Sequence, residues 1–119
     1  MQYFAGVDIG TTHTKLLVCD ERLHLVYQSK RGYTKGAGAI LDAPEILDAV
    51  KQLLSEAGES QSLFQKELTV SFSSAMHSIM LVDANNQPIT PLYTWADNSA
   101  APIIQDLKAN VLAQGLFEE

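Results

Sequence analysis

The chain has 119 residues, 46% of them hydrophobic, which suits one domain of ordinary size with a packed core and argues against disorder. Its formal net charge is −6 and the acids are scattered, which excludes the basic face of a phosphate-backbone binder, so no nucleic-acid partner is expected. No run approaches the roughly 18 apolar residues of a membrane span, no secretion leader is visible, and a lone Cys19 excludes an internal disulfide or a cysteine metal site, which together point to the cytoplasm and to no membrane partner.

The first element is "YFAGVDI", an apolar run from Tyr3 that ends in "GTTHT". "TKLLVCD" follows and ends at Asp20, "DERL" reads as a turn, and "HLVYQSKRGY" resumes an extended pattern. Three strands with short links predict an antiparallel meander. Their nearly continuous apolar character predicts strands covered on both faces. "TKGAGAILD", with Gly36 and Gly38, reads as a loop.

A helix is predicted to start at an Asp42 cap, with Pro44 in its first turn and Glu45 three residues after the cap. Ile46, Leu47, Val50, Leu53, Leu54 and Ala57 share one face, and Gly58 is placed to end the helix. "ESQSLFQK" is a polar connector. In "ELTVSFSSA", Leu68, Val70 and Phe72 alternate with Thr69, Ser71 and Ser73, the pattern of a strand with one apolar face. "SIMLVD" and "PITPLYTW" flank an "ANNQ" turn and read as a hairpin. Its prolines disfavour a helix and a central strand. A last helix is expected with Asp97, Asn98 or Ser99 as its cap and Ile103, Ile104, Leu107, Val111 and Leu112 as its stripe. The order of elements implies a mixed sheet with helical cover.

Two stretches carry chemistry. In "GVDIGTTHTK", Gly10 permits close approach to the backbone, and the turn's N–H groups with the Thr11 and Thr12 hydroxyls can cradle phosphate oxygens. Lys15 adds positive charge if strand alternation aims it correctly. Asp8 repels phosphate directly and makes sense only with Mg²⁺ between them. The alternative is a hairpin whose threonines satisfy their own turn while Asp8 caps nearby amides. The spacing is neither a Walker loop nor GxGxxG. His13 and His24 read as turn residues.

The second stretch is "SFSSAMHSIMLVDANNQPITPLYTWADNSA". Together with the first it resembles the amino-terminal part of the FGGY family of carbohydrate kinases, with "SSAMH" and "TWADN" most similar to gluconate kinases and xylulokinases next. The matching positions are the Asp-x-Gly-Thr-Thr pattern from Asp8, the run Met80 to Asp83, Pro88 to Pro91, Trp95 and Asp97. The family usually has an arginine two positions after the second acid, where this chain has Ser99.

The resemblance implies an incomplete ribonuclease-H-like, actin-like ATPase fold: a mixed sheet containing the three-strand meander, with covering helices. It implies ATP and Mg²⁺ as cofactors and a sugar or sugar acid as the small-molecule partner. Asp8 would help to hold Mg²⁺, mainly through water; Gly10, Thr11 and Thr12 would lie on the ATP phosphates with Lys15 close by. Met76 and His77 would touch the sugar, and Trp95 and Asp97 would shape the substrate side. The weighed alternatives for these residues are core filler for Met76 and Trp95 and a structural role for His77.

The family's general-base aspartate and second lobe would lie downstream, and neither Asp83 nor Asp97 sits in the motif for that base. Residues 1–119 are therefore expected to be a partial amino-terminal domain without turnover, able to pair as a homodimer through faces that truncation exposes. A stand-alone binding module of the same fold and another actin-like ATPase are the competing classes.

Overall fold

The structure is a computed structural model that describes residues 2–36, 38–61, 66–110 and 115. Strands β1 (Gln2–Ile9), β2 (His13–Asp20) and β3 (Leu25–Gly32) form the expected antiparallel meander. A short strand β4 (Ile40–Leu41) and helix α1 (Ala43–Ser60) return the chain so that β5 (Glu67–Ser74) runs parallel to β1. The sheet order is β3-β2-β1-β5. Beyond β5, strand β6 (Leu92–Tyr93) pairs with β4, and helix α2 (Ala101–Ala109) ends the described elements.

Period-two alternation sorts the strands onto two faces. Tyr3, Ala5 and Val7 of β1 and Thr14, Leu16 and Val18 of β2 are buried against Val50, Leu53 and Ala57 of α1. Leu68 and Val70 of β5 pack on the edge of this core. The opposite face carries Gly6 and Asp8, Lys15 and Leu17, and Gln28 and Lys30, which are exposed. The expectation of cover on both faces therefore fails among the described residues. The runs look two-sided because Phe4 and Leu17 put apolar groups on the open face, yet α1 supplies only one apolar stripe.

Asp42 caps α1 as expected: its carboxylate accepts the Glu45 N–H at 3.0 Å. Glu45 does not reach back to the cap. It accepts the backbone N–H groups of Thr34 and Lys35, the latter at 2.7 Å, and the Thr34 hydroxyl at 3.2 Å. These donors, the Thr34 amide first, hold its carboxyl below the usual range against the opposing effect of burial. Gly58 does not stop the helix. It is buried two residues before the end, and the cap is Gln61, whose N–H donates to the Ala57 carbonyl.

Three further expectations change. The glycine-rich loop contains β4. The "SIMLVD" and "PITPLYTW" runs meet through the isolated bridges Ile79↔Tyr93 and Val82↔Pro88 instead of a full hairpin. Around the "ANNQ" turn, Asp83 accepts the Asn85 and Gln87 amides at 2.8 and 2.9 Å, and Asn86 takes a left-handed φ of 60°. None of Asp97, Asn98 and Ser99 caps α2 with a side chain: Ala100 holds the cap position without one, and Ser99 donates instead to the Asp97 carboxylate at 2.7 Å. The α2 stripe is present but bare, with Ile103 67% exposed. Val111 and Leu112 lie outside the described residues. Among those residues no helix is long and apolar enough to cross a membrane.

Candidate functional site

Parallel pairing sets the geometry. β1 and β5 end side by side, with Ile9 opposite Ser74 and the Ala75 N–H donating to the Ile9 carbonyl at 3.0 Å. The turn Gly10–Thr12 and the loop with Met76 and His77 thus leave the sheet at one edge. In open α/β sheets the carboxyl ends of parallel strands are where ligands bind.

Gly10 closes the turn by donating its N–H to the His13 carbonyl at 3.0 Å, and a Cβ at Gly10 would stand 3.1 Å from that oxygen. The close approach expected at Gly10 is therefore made by the chain itself. The carbonyls on this turn are all occupied. Gly10 O accepts the Tyr33 hydroxyl at 3.0 Å, Thr11 O accepts the Gly38 N–H at 3.0 Å, and Thr12 O accepts the Tyr33 N–H at 3.1 Å. The Thr11 and Thr12 N–H groups have no acceptor among the described residues. The Thr12 hydroxyl lies 2.8 Å from His13 Nδ1, so one turn hydroxyl is engaged locally, as the hairpin alternative expects.

Asp8 stands directly across from Lys15 on β2 and beside Ser73 on β5, and Lys15 stands across from Lys30. This row lines an open depression of about 670 Å³ on the bare face of the sheet, with Gly6, Gln28 and Ser71 alongside. Neither Asp8 nor Lys15 forms an ion pair among the described residues. Among the described residues no group of three or more His, Cys, Asp or Glu side chains comes together. A divalent ion at Asp8 would take its remaining ligands from water and phosphate, which suits the preference of Mg²⁺ for oxygen and retained water.

On the other side, Met76 is 71% exposed and His77 is exposed with a left-handed φ of 61°. Left-handed backbone at a non-glycine residue is uncommon and concentrates at functional loops. Ile79 and Tyr93 exchange backbone hydrogen bonds of 2.8 and 2.9 Å. This antiparallel register carries His77, two residues before Ile79, and Trp95, two after Tyr93, to one end of the pairing. Trp95 is 70% exposed, so neither it nor Met76 is covered as a core residue among the described residues. Asp97 accepts Ser99 Oγ, and no hydrogen bond joins it to the turn among the described residues.

Sequence reasoning missed the residues that connect these halves. Buried Thr94 donates its hydroxyl to Gly38 O at 2.7 Å and Ala39 O at 3.1 Å, and its N–H to Ala39 O at 2.9 Å. Gly38, at φ +72°, thus accepts from the Thr94 segment and donates to the Gly10–Thr12 turn. Tyr33 has its hydroxyl against fully buried Thr14 Oγ1 at 2.8 Å. Burial pushes its phenol above the ordinary value, and the Asp8 and Glu45 charges add to that despite the Thr14 hydrogen bond. A hydroxyl-bearing aromatic between a strand and a glycine-rich loop was the available signal for Tyr33.

Residues 3–119 match the model of the FGGY family of carbohydrate kinases, N-terminal domain. The gluconokinase of Bacillus subtilis (strain 168) is 36% identical over 99 residues, covering 81% of this chain and 19% of that protein. The crystal structure of gluconate kinase from Lactobacillus acidophilus superposes with a TM-score of 0.77 at 32% identity, over 99% of this chain and 24% of that one. Ligand-bound xylulose kinase from the same organism gives 0.78 at 32%, over 100% and 25%. The chain thus spans about a fifth to a quarter of the proteins it matches. Its sheet order is that of an incomplete actin-like ATPase fold, as expected. The meander, the parallel return to β1, the two motifs at one sheet edge and these matches agree: the chain belongs to the FGGY family of carbohydrate kinases.

Proposed function

We propose that residues 1–119 form part of the amino-terminal domain of an ATP-dependent kinase for gluconate or a related sugar such as xylulose. The parent protein would transfer the γ-phosphoryl group of ATP to a substrate hydroxyl. The observation that carries this is the shared edge: a turn with outward amides beside a lone carboxylate, next to an exposed Met-His loop and Trp95. Phosphoryl transfer depends on positioning and on stabilising charge. The Thr11 and Thr12 amides would bind phosphate oxygens, with Gly10 keeping the turn tight and Lys15 adding charge. Asp8 would hold Mg²⁺ largely through water; the ion, when bound, neutralises phosphate charge. Met76 and Trp95 offer apolar surface to a sugar, and His77 and Asp97 offer polar groups. Ser99 stands in place of the family's arginine, and Asp97 has a hydroxyl partner and no ion pair among the described residues.

The general base and the lobe opposite this edge would be supplied by further chain, so no turnover is expected from 119 residues. The cytoplasm suits such an enzyme. A coupled ADP-release assay over sugars and sugar acids tests the proposal, run on this chain and on the longest reading frame containing it. Turnover with gluconate or xylulose is expected from the longer chain and none above blank from the shorter. Clear turnover by 119 residues, or a longer chain inert toward both substrates, would refute it. Among the described residues the α2 stripe is bare, β5 has an unpaired edge and one sheet face is open, which favours pairing of the isolated chain with a second copy. Sedimentation that finds a monomer at every concentration counts against that pairing.

A further inference from the structure

We infer that Tyr33 is a positioning residue: it grips the carbonyl side of the Gly10–Thr12 turn and so aims the turn's amides at the phosphate oxygens. The inference rests on the phosphate reading of the turn proposed above.

The argument is one of peptide planes. Each plane is rigid, and its C=O and N–H point in opposite directions. Fixing the carbonyl of one residue therefore fixes the N–H of the next. The Gly10 carbonyl, held by the Tyr33 hydroxyl, sets the Thr11 N–H. The Thr11 carbonyl, held by the Gly38 N–H, sets the Thr12 N–H. The Thr12 carbonyl is held by the Tyr33 backbone N–H, so Tyr33 grips two of the three planes.

Proton inventory fixes the phenol itself. A carbonyl only accepts, so the single phenolic proton goes to Gly10 O. The buried Thr14 hydroxyl must then donate to the phenol oxygen across their 2.8 Å contact. The segment after Tyr33 is anchored in turn, because Glu45 on the first turn of α1 accepts the Thr34 and Lys35 amides. The result is a line of contacts from the core helix to the two amides that lack an acceptor among the described residues.

Tyr33→Phe keeps the ring and removes the grip on Gly10. The probe is inorganic tripolyphosphate with Mg²⁺, titrated into the ¹⁵N-labelled 119-residue chain. The variant should keep the amide shifts of α1 and β5, move those of Thr11 and Thr12, and speed their hydrogen exchange. Its affinity should fall by about three- to tenfold, the range expected for one neutral hydrogen bond. Leu53→Ala loosens the core without touching the turn and should leave the affinity of the folded chain unchanged, which separates positioning from general stability.

A wild-type turn that responds to tripolyphosphate, together with a Tyr33→Phe turn that responds equally, overturns the positioning role alone. A wild-type turn that ignores the probe overturns the phosphate reading, and the role given to Tyr33 falls with it. Should Tyr33→Phe not fold, the wild-type hydroxyl proton decides. A slowly exchanging proton with a nuclear Overhauser effect to Thr14 supports the grip, and a phenol in free exchange with water overturns it.

Discussion

Replacing Thr94 by valine tests how the two halves of the site are joined. Valine keeps the buried shape and removes the hydroxyl. Ala39 O keeps a partner, because the Thr94 N–H still reaches it at 2.9 Å. Gly38 O loses its 2.7 Å donor, and the Ala96 N–H loses a long acceptor at 3.3 Å. An orphaned buried acceptor costs about 1–3 kcal/mol. Gly38 is only partly buried, so water replaces some of the loss, and about 1–2 kcal/mol is expected. With a urea slope of about 1.5–2 kcal/mol per M for a chain of this size, the midpoint should fall by roughly 0.5–1.3 M. Far-UV circular dichroism follows the whole fold, and fluorescence of Trp95, the only tryptophan, follows release of its own segment. Thr94→Ser keeps the hydroxyl and loses one methyl, about 0.8 kcal/mol of burial. A Thr94→Val midpoint equal to wild type, or a serine variant as damaged as the valine one, would refute the reasoning.

Other perturbations follow from the same contacts. Leu53→Ala removes a fully buried side chain between α1 and the sheet and should cost about 2–5 kcal/mol in urea unfolding. Gly36→Ala would put a Cβ 2.6 Å from the Ile40 carbonyl oxygen and 3.3 Å from Leu41 Cα. Both are backbone atoms, so β4 must shift, at about 1–3 kcal/mol, and a midpoint equal to wild type would contradict that. Asp20 is held below its ordinary 3.8 by the His24 amide first and then by the Arg22 amide, and Glu45 below its ordinary 4.5 by the Thr34 amide first. The unfolded chain takes up these protons more readily. Stability is therefore full above the ordinary values and falls as pH drops through them toward the lower folded values. Glu45→Gln should flatten part of that acid slope, and an unchanged slope would show that Glu45 does not contribute to it.

The sequence made the parts with strong local grammar legible. The meander, the Asp42 cap and the existence of β5 all follow from short-range rules, although Leu68 and Val70 pack on the core while Phe72 of the same alternation is exposed. What escaped depended on neighbours distant in sequence. Gly58 looks like a helix stop, but it is a buried residue within α1, and the helix runs on to Ser60. Leu17 and Phe4 made the strands look covered on both sides, although nothing in the described chain covers the second face. Thr94 and Tyr33 belong to no periodic pattern. Their roles arise only when residues 56 and 23 positions away offer carbonyls, at Gly38 and Gly10. Glu45 sits in the capping-box position but accepts the Thr34 and Lys35 amides, eleven and ten residues back along the chain.

The central claim is that the Gly10–Thr12 turn and Asp8 form a Mg²⁺-dependent phosphate site. Titrating Mg-ATP into the ¹⁵N-labelled chain tests it most directly. Shifts are predicted at Gly10, Thr11, Thr12 and Lys15 that need Mg²⁺ and disappear in Asp8→Asn. A turn that stays silent at millimolar nucleotide, or that responds identically without Mg²⁺ and in Asp8→Asn, would contradict it.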